Sequence, residues 1–440
     1  MSETNQLQSE RRPVVLIASR RTPILSMKRD RISAIDLGAA AIRAALRETK
    51  LTDLSRIDAL ITGEVAQTAF TSNSAKHLAR RVHLPHSIHC LTVNRQCSSS
   101  MDATWKAFDL IAGGHGQLAL VVGIEAMADT PYLVPAAARH SALNRWLRTA
   151  SGKSWGKWLR MFGFGKPYGS GVLFGWYGNS GLATMSNALD PEAANMAKTA
   201  QIVANLCAID RQEADRLAHL SQARAADSRD VLSRDIVPFF VPGVGMITED
   251  ENIRATSQSE LAALPAVPDT GGLVTAGNAS SMGGCGVALL LSTPEMAAEL
   301  GAEILCEIVD CQASGFDAKA MGLGPVPAIE QILARQKLSL GDIDYFEINE
   351  AFTHVWAAIM KAVGIDETRC NLFGGGASVG HPLGSTGARL LGLIGRQVHD
   401  RQLELALAAQ CAAGGMGTAI LARPWRGRRQ PLKSMRPRGG

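Results

Sequence analysis

The chain has 440 residues, 46% of them hydrophobic and 19% charged, with 43 glycines and a net charge of +5. That length allows two or three domains around a large buried core, and that charge is too mild to point to nucleic acid. No run of eighteen apolar residues occurs, which excludes an apolar membrane-spanning helix. The eight cysteines, at 90, 97, 207, 285, 306, 311, 370 and 411, form no zinc-type spacing. A chain of this size needs no disulfide staples, so free thiols in a reducing, cytoplasmic setting are expected. The start, MSETNQLQSERRPVV, lacks the apolar core of a signal peptide.

In chain order, PVVLIASRRTPI reads as a buried strand running into a loop, and AIDLGAAAIRAALRET has helical apolar spacing. IDALITGEVA is a strand, TSNSAKHLARRV a helix, IHCLTVNRQ a strand, SMDATWKAFDLIAGG a helix closed by glycines, and LALVVGIEAMA a strong buried strand. This alternation predicts a layered α/β fold with largely parallel pairing. The rhythm then breaks. From Thr130 to Leu189 there is no Asp or Glu, but seven Arg or Lys (139, 145, 148, 153, 157, 160, 166). Within it, Trp155, Trp158, Leu159 and Phe162 follow i, i+3, i+4, i+7 spacing, predicting a basic amphipathic helix. Its apolar face suits packing on the protein's own body, docking of a partner subunit or anionic membrane through 143–164, or a wall of a substrate tunnel. Helices resume from 191 to 228, VTAGNASSMGGCGVALLLS is loop then strand, and the second half repeats the alternation from EILCEIVDCQ to GTAILARP. Two halves of similar rhythm suggest a duplicated fold, and the tail RPWRGRRQPLKSMRPRGG reads as frayed and basic.

Four short segments carry candidate chemistry. TVNRQCSSSMDA places Cys97 at a strand-to-helix corner, where the helix dipole and free N–H groups favour a thiolate and a lowered pKa. FGGGASVGHPLGSTGAR places His381 in a glycine loop, able to take a proton from a thiol. YFEINEAF ends a strand with Asn349 and Glu350, and AAQCAAGGMG puts Cys411 before a tight glycine turn. A second cysteine held there could act as general base on a carbon acid. Taken singly, a lone Cys is more often core than catalyst, and each short motif is weak. All four lie at element junctions, where sites are usually built.

Together these segments resemble the thiolases, acyl-CoA:acetyl-CoA acyltransferases. The likeness runs in order through RTP (21–23), DLGAAAIRAAL, VNRQCSSSMDA, VVGIEAMADTPY, ITEDENIR, VTAGNAS, NEAF, GGGASVGHPLGSTGAR and CAAGGMG. The resemblance implies a duplicated, layered αβαβα fold with an inserted loop domain. Its parts would be a first half at 12–130, an enlarged loop domain at 131–200, the remainder of that domain and the end of the first half at 201–294, a second half at 295–424, and the tail at 425–440. It implies that Cys97 accepts the acyl group and that His381 activates that thiol. Asn349 with His381 would form one oxyanion hole, and the N–H groups of Cys97 and Ala413 a second. Cys411 would move the α-proton of acetyl-CoA, and Ser280 would lie near the pantetheine arm. Coenzyme A would be a substrate, with no permanently bound cofactor and no metal, and a homodimer or homotetramer is the implied assembly.

The activity so implied is thiolytic cleavage of 3-oxoacyl-CoA in fatty-acid β-oxidation, with acetoacetyl-CoA synthesis as the alternative. A decarboxylating ketoacyl synthase would pair its Cys with two His, or with His and Asn, and would not need Cys411. A non-catalytic lipid carrier on this scaffold would be expected to lack one of Cys97, His381 and Cys411. After AGNAS the family usually has an Asn-Asp-Gly-like turn. Here the stretch is SMGGCGVALLL, which puts the local turn in doubt. Ala412 and Ala413 resemble the variant found in oxidation complexes, whereas NEAF is the form of the shorter soluble enzymes.

Overall fold

The computed structural model describes residues 11–29, 32–66, 73–129 and 195–427. The basic aromatic segment, including 143–164, and most of the tail lie outside the described residues.

The first half contains β1 (Val14–Arg21), β2 (Leu25–Ser26), α1 (Ala34–Glu48), β3 (Ala59–Gly63), α2 (Ser74–Arg81), β4 (His89–Val93), α3 (Ser99–Ala112) and β5 (Leu118–Ala126). After the excursion come α4 (Met196–Leu206), α5 (Arg211–Asp227), α6 (Arg229–Ser233), the hairpin β6 (Phe239–Val241) and β7 (Gly245–Ile247), α7 (Gln258–Ala262) and β8 (Gly283–Ser292). The second half holds α8 (Pro294–Leu300), β9 (Cys306–Gly315), α9 (Pro325–Gln336), β10 (Tyr345–Ile348), α10 (Thr353–Val363), α11 (Gly376–Val379), α12 (Leu383–Arg401), β11 (Ala406–Ala412) and β12 (Met416–Arg423).

The main sheet runs β10-β11-β12-β9-β1-β8-β5-β3-β4, with β2 added on β8. In the first half the order is third, second, fourth, fifth, first strand of that half. The second half repeats it, with the parallel bridge from Phe346 to Cys370 standing where a third strand would lie. This repeated order is the duplication that the sequence rhythm suggested. The halves join where Val14–Leu16 pairs with Cys306–Ile308. The expectation of largely parallel pairing is corrected: among the described residues only the β3–β4, β3–β5 and β10–β11 ladders are parallel, and the other ladders are antiparallel. The reason is connectivity. Helical crossovers give parallel neighbours, but the last strand of each half returns antiparallel beside the first.

Side-chain parity builds five layers. On β5, Leu118, Leu120, Val122 and Ile124 pack with α1 and α2, whereas Ala119 and Val121 face the opposite way. On β11, Leu407, Ala409 and Cys411 pack with α9 and α10, whereas Ala406 and Ala408 join the cluster of Ala119 and Val121. Between the two halves of the main sheet that cluster includes Met101, Ala107 and Ile111 of α3 and Ala388, Leu391 and Ile394 of α12. Strands buried on both faces explain the nearly unbroken apolar runs of the sequence. The glycines after AGNAS also have a reason. A Cβ at Gly286 would sit 2.3 Å from the Leu37 carbonyl carbon, and one at Gly283 2.2 Å from Leu25 O. The stretch therefore enters β8 directly, with α1 and β2 pressed against it.

Two of the matching motifs are structural. Arg21 of RTP makes a two-pronged buried ion pair with Asp250 of ITEDENIR, at 2.6 and 2.8 Å. Asp250 also accepts the Ile24 N–H at 2.8 Å.

Candidate active site

Cys97 sits between β4 and α3, one residue before the cap Ser98. Its neighbour Gln96 has a φ of +50°, which a non-glycine residue adopts at a cost of about 1–2 kcal/mol. Polar contacts hold that corner. Gln96 donates its N–H to Asn94 Oδ1 at 3.0 Å, Arg95 donates to Ser99 Oγ at 3.0 Å, and Ser99 donates to Gln96 O at 2.5 Å. The backbone N–H groups of Ala413 and of Cys97 itself lie near its sulfur and favour the thiolate. Burial nevertheless pushes the thiol up to about 11, with the Glu125 carboxylate adding to the shift. The depressed pKa expected from the helix dipole is thus corrected: desolvation of the anion outweighs the two N–H donors.

Cys411 is the penultimate residue of β11 and is buried, with its thiol raised to about 12 by burial first and by the nearby Cys97 charge second. Gly414 and Gly415, with φ of +87° and +78°, turn the chain back so that Ala413 reaches Cys97. Both sulfurs therefore share one locality, contributed by different halves of the fold.

His381 follows Gly380, whose φ of +108° only glycine adopts easily. Its backbone N–H donates to Ser281 O at 2.8 Å. Its Nδ1 lies 2.7 Å from Thr386 Oγ1, and that hydroxyl donates its only proton to Pro382 O at 2.9 Å. Thr386 must then accept from His381, which assigns the proton to Nδ1 and leaves Nε2 with a free lone pair. Nε2 lies 3.4 Å from Asn349 Nδ2, a donor that suits that lone pair. Burial, with the Arg389 cation second, lowers the imidazole to about 3, so His381 is neutral. A neutral ring with an unprotonated Nε2 is the form a proton acceptor needs.

Asn349 lies just after β10 and donates its N–H to Ala409 O at 2.9 Å, two residues from Cys411. Its Oδ1 is buried without a hydrogen-bond partner among the described residues. Ser280 donates its N–H to Ala351 O at 3.0 Å, which sets the AGNAS loop against NEAF. The turn of that loop is built by Asn278, which accepts the Thr275 N–H at 2.8 Å and donates to Asp215 at 2.9 Å. The structure thus brings Cys97 beside Ala413 and Cys411, and His381 beside Asn349, with Ser281 linking His381 to the loop of Ser280.

Several supporting groups escaped the sequence reading. Glu350 of NEAF accepts from Ser221 at 2.7 Å, Asn371 at 2.7 Å and the Ala377 N–H at 3.0 Å, and so anchors the GGGAS loop. Gly375 is required there, because a Cβ would lie 2.4 Å from the Glu350 carboxyl carbon. Glu125 accepts from Val65, Ala66 and Gly384 at 3.3, 3.2 and 2.8 Å, and burial raises it to about 7. The signal for Thr386 was its place five residues after His381, in the first turn of α12. Around Cys97, Val65, Met127, Leu383 and Met282 form an apolar cluster.

The family description "Thiolase, N-terminal domain" matches residues 14–295 and "Thiolase, C-terminal domain" matches 302–423. An acetyl-CoA acetyltransferase of Schizosaccharomyces pombe is 31% identical, covering 93% of this chain and 98% of that protein. A 3-oxoadipyl-CoA/3-oxo-5,6-dehydrosuberyl-CoA thiolase of Escherichia coli is 32% identical, covering 89% and 93%. The crystal structure of human mitochondrial 3-ketoacyl-CoA thiolase superimposes with a TM-score of 0.80 at 29% identity, covering 94% of this chain and 99% of that one. That human protein has also been seen in complex with CoA. By class, then, the protein is an acyltransferase. More particularly, the chain belongs to the thiolase family.

Proposed function

We propose that the protein cleaves 3-oxoacyl-CoA with CoA, giving acetyl-CoA and an acyl-CoA shortened by two carbons, as in fatty-acid β-oxidation. The observation that supports this reading is the 2.6 Å hydrogen bond from Gln410, the residue before Cys411, to the backbone oxygen of Cys97. That contact, with the influence of Cys97 on the Cys411 thiol, supports the two sulfurs acting on one substrate.

In this reading His381 Nε2 takes the Cys97 proton, and the sulfur attacks the keto carbon. The carbonyl oxygen becomes an oxyanion, held by preorganised donors. The bond between the α and β carbons breaks, its electron pair passing into the acetyl-CoA enolate. Cys411 protonates that carbon and is left as thiolate, while the acyl group stays on Cys97. After acetyl-CoA leaves, the thiol of CoA gives its proton to Cys411, and its sulfur attacks the thioester. The bond to Cys97 breaks, and that sulfur recovers its proton from His381. The raised thiols and lowered imidazole favour the uncharged resting state, so charge arises only with substrate present.

Val65, Met127, Leu383 and Met282 at Cys97 offer an apolar surface to the acyl carbons nearest the sulfur. The test is thiolysis of 3-oxoacyl-CoA esters of increasing length, and of 3-oxoadipyl-CoA, followed through loss of the enolate–magnesium absorbance. Turnover of aliphatic substrates that disappears in Cys97→Ala is expected. Turnover surviving in Cys97→Ala would refute the assignment, and preference for 3-oxoadipyl-CoA would refute the substrate class.

A further inference from the structure

Gln410 is the residue before Cys411 on β11. By strand parity its side chain points away from that of Cys411, into the layer of α3 and α12. It is fully buried. Its Nε2 donates to the backbone oxygen of Cys97 at 2.6 Å, and Ser98 Oγ donates back to Gln410 O at 3.4 Å. The amide orientation is fixed by this contact, since a carbonyl can only accept. Its Oε1 is buried and has no hydrogen-bond partner among the described residues. On β12, its cross-strand neighbour Thr418 has a buried hydroxyl that is likewise unpartnered.

An amide in such a place is poorly rewarded as core filling. A leucine would occupy similar volume without burying an unpaired oxygen. The one hydrogen bond from its amide nitrogen ends on the peptide of the candidate nucleophile. That peptide needs a brace, because it follows Gln96 with its left-handed backbone. The brace comes from the residue adjoining the second sulfur, so it sets the position of one sulfur relative to the other.

We infer that Gln410 is a positioning residue, whose side-chain amide clamps the Cys97 peptide and holds the two sulfurs in register for carbon–carbon cleavage. This rests on the thiolase reading above. The step it serves is demanding in geometry, because one sulfur must bond the β carbon while the other delivers a proton to the α carbon.

Gln410→Leu, Gln410→Glu and Thr418→Val, each in the full chain, test the inference. Gln410→Leu is expected to lower kcat for thiolysis at least about tenfold with KM for both substrates within about twofold of wild type, since displacements near an ångström are felt on this scale. In Gln410→Glu the protonated carboxyl can still donate to Cys97 O, so activity is kept at low pH. Its kcat then falls as pH rises through the new carboxyl's pKa, a limb the wild type lacks. Thr418→Val, on the same face, keeps wild-type kcat. The inference is overturned if both Gln410 variants match wild type at every pH. It is also overturned if Gln410→Glu loses activity equally at all pH values, or if Thr418→Val loses as much as Gln410→Leu. A wild type without Cys97-dependent thiolysis would sink the functional reading and the inference with it, whereas an active wild type with silent Gln410 variants would sink the inference alone.

Discussion

Thr386→Val isolates one hydrogen bond and should change the chemistry while leaving the shape. In the structure Thr386 Oγ1 accepts from His381 Nδ1 at 2.7 Å, and both side chains are buried. Valine keeps the volume and removes the acceptor. The imidazole then has two choices. It can keep its proton on Nδ1, a buried unpaired donor costing about 1–3 kcal/mol. Or it can move the proton to Nε2, which then cannot take the proton of Cys97. That cost translates into a productive tautomer depleted about 5- to 150-fold, at tenfold per 1.4 kcal/mol. We expect kcat for acetoacetyl-CoA thiolysis to fall by that range with KM little changed. Steady-state kinetics of the purified variant, beside its thermal unfolding curve, measure it. A folded Thr386→Val enzyme with kcat within twofold of wild type would show that the Nδ1 contact does not set the tautomer.

Three other outcomes follow from the geometry. With its thiol near 11, Cys97 is about one part in 10⁴ thiolate at pH 7, against roughly three in 100 for an ordinary cysteine. Its alkylation by iodoacetamide, read by peptide mapping, should rise about tenfold per pH unit up to pH 10, and a plateau near pH 8 would contradict the raised value. Asp250→Ala strands the buried Arg21 guanidinium and should destabilise by about 3–5 kcal/mol in denaturant unfolding, whereas a loss below about 1 kcal/mol would mean the pair is not desolvated. Gly375→Ala drives a methyl group into the Glu350 carboxyl and should cost about 1–3 kcal/mol with a drop in kcat. Unchanged stability and activity would mean the loop before His381 yields freely.

Much of this was legible before any coordinates. Cys97, His381, Asn349 and Cys411 stand at junctions between elements, and local pattern marks such junctions well. The duplicated rhythm also showed, because strands buried on both faces leave long apolar runs. Strand direction did not, since the run LALAAQC reads the same whether its neighbour lies parallel or antiparallel. The reversed shift of Cys97 has a similar origin. The helix that follows it is local and readable, but the protein packed around its sulfur is assembled from distant segments. Thr386 and Gln410 were passed over because a hydroxyl or amide in a helix or strand gains its meaning only from what faces it. Glu350 was visible as a letter of NEAF, but its partners Ser221 and Asn371 lie 129 and 21 residues away.

The seam between the two halves has a consequence for how this chain can be divided or altered. Cys97 belongs to the first half, whereas His381, Asn349 and Cys411 belong to the second. A polypeptide severed near residue 300 would yield one fragment with the proposed nucleophile and no base, and another with the proposed base and nothing to activate. Neither could evolve or be engineered toward turnover alone, and recovery of turnover on mixing would report reassembly of the intact interface.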